Sequence, residues 1–163
     1  MPPIPKLSLI LLSGLPATGK STFARYLARD HGFAHYDLEC YPRGWPRPDL
    51  KSLWDTSRCA FVAALRQFHA RTALDWGFPV SCLAWVQELQ GAGVRLIWFT
   101  GSIARAREVF LERGGIAVEN FDFQVRTIQQ AGLPGTLECV TIEALSDSGV
   151  FLNPCEVQQQ VFA

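Results

Sequence analysis

The sequence predicts a three-layer α/β fold in which a five-stranded parallel sheet is covered by helices on both faces. Three observations predict it. Short apolar runs alternate with amphipathic stretches along the chain, the first run ends in a glycine-rich turn, and no internal repeat or linker interrupts the alternation. At 163 residues the chain can bury one substantial core, and it is read as a single domain over 1–163.

The elements follow in order. "KLSLILLS" (6–13) is a continuous apolar run, as expected of a parallel strand buried on both faces. "STFARYLARDHG" places Phe23, Tyr26 and Leu27 on one helical face and stops at Gly32. "FAHYDLE" (33–39) reads as a second strand and "YPRGWPRP" (41–48) as a proline-rich loop. Residues 49–77 carry helical periodicity, with Asp49 as N-cap and Gly77 as stop. "FPVSCLAW" (78–85) is the predicted third strand, "VQELQGAG" (86–93) a short helix and "VRLIWFTGS" (94–102) the fourth strand. The helix over 102–115 is capped by Ser102, ends at Gly114-Gly115 and buries Ile103, Ala106 and Phe110. A further helix (119–132), a fifth strand "LECVTIEA" (137–144) and a last helix with Pro154 in its first turn complete the chain.

The chemistry is concentrated between the first strand and the first helix. Gly14, Gly19, Lys20 and Ser21 fill the pattern G-x-x-x-x-G-K-[ST]. In such a loop, here Gly14, Leu15, Pro16, Ala17, Thr18, Gly19, Lys20, Ser21 and Thr22, consecutive backbone N–H groups surround phosphate oxygens and the lysine reaches the β and γ phosphates. The hydroxyl after the lysine ligates Mg²⁺, so Ser21 is the metal contact. The helix N-terminus adds its unpaired N–H groups and partial positive charge. The stretch is built to hold a polyphosphate.

Composition narrows the class. Five cysteines, odd in number and without a C-x-x-C pair, argue against a disulfide framework and a zinc site, and the three histidines show no ligand spacing. The absence of an apolar run of 18 residues excludes a membrane span, and the lone Lys6 ahead of the first strand makes a poor secretory leader. A cytoplasmic domain is the expectation. Net charge is zero, which disfavours a partner that tracks nucleic acid, although twelve of the fifteen basic residues are arginine, the side chain suited to bidentate phosphate recognition.

"GLPATGKSTFARYLA", the acid in "HYDLE", "IWFTGS" ahead of an arginine-bearing helix and the final "NPCEV" helix together resemble the small P-loop kinases, in layout gluconate kinase, shikimate kinase and the polynucleotide 5'-hydroxyl kinase domain. The likeness covers nearly the whole chain, with its specificity in the phosphate loop. It implies strand order 2-3-1-4-5, ATP (or GTP) with Mg²⁺ on the loop, and an arginine-bearing lid over about 103–126.

Asp37, 17 residues past Lys20, falls at the carboxyl end of the second strand, where open α/β sheets bind ligands. The resemblance implies that this position holds the base or the anchor of the acceptor hydroxyl, and Asp37 is also the second candidate metal ligand. Glu39, two residues on, is expected on the same face of an extended strand. The competing role for both acids is pairing with Arg43 or Arg47. In the lid, Arg113 ranks first for phosphate contact, Arg107 second and Arg126 third. The alternative for Arg113 is complementing the helix dipole, while Arg105 pairs with Glu108. Arg43 and Arg47 suggest an anionic acceptor, with Trp45 either packing the loop or stacking on a ring.

One departure from the resembling families stands out. Neither the predicted third strand nor the fourth ends in an acid that could help to hold Mg²⁺. Three readings therefore stand: a phosphotransferase acting on a small acceptor, a nucleotide-binding regulator or inactive homologue, and a kinase of polynucleotide ends.

Overall fold

Burial of both faces of β1 (Ser8–Gly14) sets the three layers of the computed structural model, which describes residues 3–6 and 8–163. Leu7 of the predicted first strand lies outside the described residues, as do Met1 and Pro2. Successive strand side chains point to opposite faces. Ile10 and Leu12 meet Phe23 and Leu27 of α1 (Lys20–His31) and Val157 and Val161 of α7 (Pro154–Val161). Leu11 meets Phe61 and Leu65 of α3 (Arg58–Phe68) and Val86 and Leu89 of α4 (Leu83–Gly91) on the other side. β4 (Arg95–Gly101) repeats the division, with Ile97 and Phe99 in the first layer and Leu96 and Trp98 in the second.

With β2 (Ala34–Asp37), β3 (Arg71–Asp75) and β5 (Val140–Leu145), the five strands are parallel in the order β2-β3-β1-β4-β5. This is the expected architecture. β1 lies at the centre, so the turn that follows it opens at the middle of the sheet's carboxyl edge. Local signals hold the helix ends. Gly32 ends α1 in a left-handed conformation (φ 69°), and its N–H donates to the Leu27 carbonyl. Asn153 and Glu156 form a reciprocal capping box at the start of α7.

The third strand corrects the sequence expectation. Residues 49–77 are not one helix. A single 3₁₀ turn (Pro48–Leu50) leads into α2 (Lys51–Thr56), extended Ser57 breaks the path, and α3 follows with the Ser57 hydroxyl accepting from the Ala60 N–H. Asp49 is not the cap. It sits inside the 3₁₀ turn, bound to Arg47. His69 then turns extended and β3 begins at Arg71. The predicted strand 78–85 is instead a loop, a 3₁₀ turn (Val80–Cys82) and the start of α4. Pro79 explains why, since it has no N–H to donate to a central ladder.

α5 (Ile103–Arg113) and α6 (Val118–Gln130) pack together over the end of the sheet through Ala106, Phe121 and Val125, joined by Leu15 and Leu145. Phe110 lies on Phe121, with ring centroids 5.4 Å apart. Ala106 carries the buried stripe. Ile103, expected in it, is 38% exposed because the stripe narrows at the first turn, where Ser102 caps the helix. Among the described residues, no helix is long and apolar enough to cross a membrane.

Candidate active site

The glycine-rich turn leaves β1 under close control. Gly14 has φ 124° and lies against β4, where a Cβ would stand 2.0 Å from the Phe99 carbonyl oxygen, so only glycine fits. The Leu15 N–H donates to that same carbonyl at 2.9 Å. The Leu15 carbonyl in turn accepts from the Thr18 hydroxyl at 2.7 Å and from Lys20 Nζ at 2.6 Å. These two bonds fold the turn back on itself. The ammonium group is thereby held inside the curl of the loop, with Lys20 only 9% exposed.

Two carboxylates share this cleft, which has a volume of about 490 Å³. Asp75 ends β3 and is 4% exposed, with its Oδ2 3.3 Å from His35 Nε2. Glu39 follows β2, and its Oε1 accepts from the Gly77 N–H at 3.0 Å. Much of Glu39 is exposed, yet its carboxyl end is tucked against Gly77 and lines the cleft. Burial pulls Lys20 down to a pKa of about 8, with Asp75 and Glu39 pushing it back up and Arg113 pulling it lower. Burial also raises Glu39, against the Gly77 N–H and the Lys20 charge, which favour its ionised form.

The candidate residues divide. Lys20, Ser21, Glu39 and Arg113 line one cleft; Asp37, Arg43, Arg47, Arg107 and Arg126 do not. β2 ends at Asp37 and the chain bends over residues 38–40, so the two-residue alternation that would align Asp37 with Glu39 stops there. Asp37 Oδ1 caps that bend, accepting from the Glu39 and Cys40 N–H groups at 3.0 and 3.3 Å. Arg47 is engaged with Asp49 at 2.7 Å and lies 3.7 Å over the Phe68 ring, while Arg43 is exposed. Trp45 packs the loop: it is buried and its Nε1 donates to the Asp37 carbonyl. Arg107 forms a two-pronged pair with Asp122 that ties α5 to α6, and Arg126 is exposed.

No protein-family model matches the chain, and no curated protein matches it in sequence. Solved structures do match. A gluconokinase from Sinorhizobium meliloti superposes with a TM-score of 0.59 at 15% identity, over 98% of this chain and 91% of that one. A sugar kinase from Janibacter sp. gives 0.62 at 17% identity, over 95% and 90%, and a shikimate kinase from Bacteroides thetaiotaomicron gives 0.54 at 13% identity, over 94% of each. The chain has the small P-loop kinase fold.

In this P-loop kinase fold a strand beside the loop does end in an acid: Asp75, on β3. Its signal was "RTALDWG", a β-branched and apolar run closed by an acid and a glycine, concealed because it continues the periodicity of α3. Ser21 and Asp75 offer hard oxygen donors in one cleft, the kind of set that suits Mg²⁺. Two further clefts flank the phosphate loop of the P-loop kinase fold. One of about 380 Å³, walled by Phe99, Phe151, Leu152 and Pro154, adjoins Gly19 and Thr22. The other, of about 440 Å³, lies between the loop after β3 and α6 and reaches the cleft of Lys20 at Gly14, Gly77 and Gln124.

Proposed function

We propose that this chain is a nucleoside-triphosphate-dependent phosphotransferase that moves the γ-phosphate, from ATP or GTP, to a hydroxyl of a small acceptor. One observation carries the reading: Lys20 at the start of α1, Glu39 just beyond β2 and Asp75 at the end of β3 line a single cleft with Arg113. The kinase neighbours support it at the level of the fold.

In this reading the N–H groups of residues 14–22 surround the phosphates and Lys20 neutralises the β and γ oxygens. Ser21 and Asp75 would hold Mg²⁺, which supplies further neutralisation of the phosphate charge. The apolar cleft walled by Phe151 and Pro154 receives the base. Glu39, with its raised pKa, accepts the acceptor's hydroxyl proton as the new O–P bond forms and the bond from γ-phosphorus to the nucleoside diphosphate breaks. Glu39 takes this role in place of Asp37, whose carboxylate caps the bend beyond β2. Segment 103–126 acts as the lid, with Arg113 as its phosphate contact.

A nucleotide-binding regulator was suggested by a missing strand-end acid. Asp75 removes that motive. The test is transfer of label from γ-labelled ATP, with Mg²⁺, to a panel of alcohols, beside Lys20→Ala and Glu39→Gln. Transfer lost in both variants is the expected result. Tight ATP binding with no transfer to any alcohol would overturn it.

A further inference from the structure

The cleft beyond Gly77 has a chemistry of its own. Phe78 and Trp98, both buried, form apolar wall, and Phe123, 60% exposed, stands at its rim. Ser81, Asn120 and Thr127 supply neutral hydroxyl and amide groups. Among the described residues that line it there is no lysine, arginine, histidine, aspartate or glutamate. Of the arginines in and beyond the loop over 41–48, Arg47 is turned to Asp49 and Arg58 to Glu88, while Arg43 is exposed and does not line this cleft.

From this we propose that the acceptor is an uncharged alcohol with a flat, largely apolar ring body, rather than a sugar acid or a phosphorylated compound. The inference rests on the phosphotransferase reading and names the substrate class for that same site. A carboxylate moved into such a cleft loses its hydration and finds no cation there to replace it. A neutral ring loses only apolar hydration, and its faces find Phe78, Trp98 and Phe123. The volume of about 440 Å³ suits a small organic molecule. The opening at Gly14, Gly77 and Gln124 leads directly to the cleft of Lys20 and Glu39, so a hydroxyl on the near edge of the ring reaches the phosphate cleft while the ring stays outside it.

The experiment measures binding apart from turnover. Matched pairs of ligands, a neutral ring-bearing alcohol and its carboxylated or phosphorylated counterpart, are titrated by NMR against the protein with a non-hydrolysable ATP analogue, and label transfer is assayed on the same pairs. The neutral member should bind at least about tenfold more tightly, and Asn120→Arg should narrow that preference by about tenfold or more, the worth of one charge-assisted hydrogen bond. Phe123→Ala, at the rim, should weaken the neutral ligands alone. Preferred binding of the charged members, or a preference indifferent to Asn120→Arg, would overturn the acceptor class even where transfer proceeds. Selective binding of neutral rings with no transfer would support the cleft's ligand class while failing the phosphotransferase reading.

Discussion

Glu39 Oε1 accepts the Gly77 N–H at 3.0 Å, and a Cβ placed on residue 77 would stand 2.8 Å from that same oxygen. The fit of this carboxylate therefore depends on the absence of a side chain on a neighbouring strand end. Gly77→Ala meets only the far end of a flexible side chain, so stability should change by less than about 1 kcal/mol. On the proposed reading phosphoryl transfer should fall by about 100-fold, the lower range for displacing a general base. Thermal denaturation alongside kcat separates the two effects, and a large loss of Tm would show that residue 77 matters for folding instead.

Lys20 gives a pH signature. Its pKa is about 8 in the free protein, and bound phosphate favours the ammonium form, so nucleotide affinity should be full near pH 7 and decline as pH rises beyond 8. At pH 9 it should be about tenfold weaker. Folding stability runs the other way: the unfolded chain keeps this proton up to the ordinary 10.5, so the buried charge opposes folding below pH 8 and that opposition is relieved between pH 8 and 10.5. Calorimetric titration of a non-hydrolysable analogue at three pH values checks the binding limb. Lys20→Met should remove the slope.

Asp75 raises the Lys20 pKa, so Asp75→Asn should lower it further and move the decline in nucleotide affinity toward acid. The same substitution removes an oxygen donor and should raise the Mg²⁺ concentration for half-maximal transfer by about tenfold or more. An unchanged Mg²⁺ dependence would take Asp75 out of the metal site.

Arg113 and Arg107 sit on one helix and should behave differently. Arg113 lines the cleft, and its removal should reduce kcat by at least about 100-fold with little change in KM for the acceptor. Arg107 is held by Asp122, so Arg107→Ala should leave kcat within about threefold. Equal losses would mean that α5 and α6 must stay joined for transfer.

These residues also mark what the sequence made legible. β1, the loop and α1 are plain because a continuous apolar run, fixed spacings and a glycine stop agree at every level. β3 was hidden because only His69 and Ala70 separate it from α3, and a five-residue buried strand carries no period of its own. Pro79 was the available warning against the strand placed over 78–85. Asp75 was missed along with its strand. That Glu39 and not Asp37 lines the cleft depends on a bend over residues 38–40 that no hydrophobic pattern encodes. Arg47 drew attention as a free cation, yet a neighbour two residues away already holds it.

The clefts on either side of the phosphate loop, one walled by Phe151 and the other by Phe78, have no lining residue in common. Under the proposed reading, donor and acceptor arrive through separate openings and meet only at the transferring group, so neither blocks the path of the other. The kinetic mechanism should then be random sequential. Initial-rate lines intersect when both substrates are varied, and a dead-end analogue of either one competes only with its own counterpart.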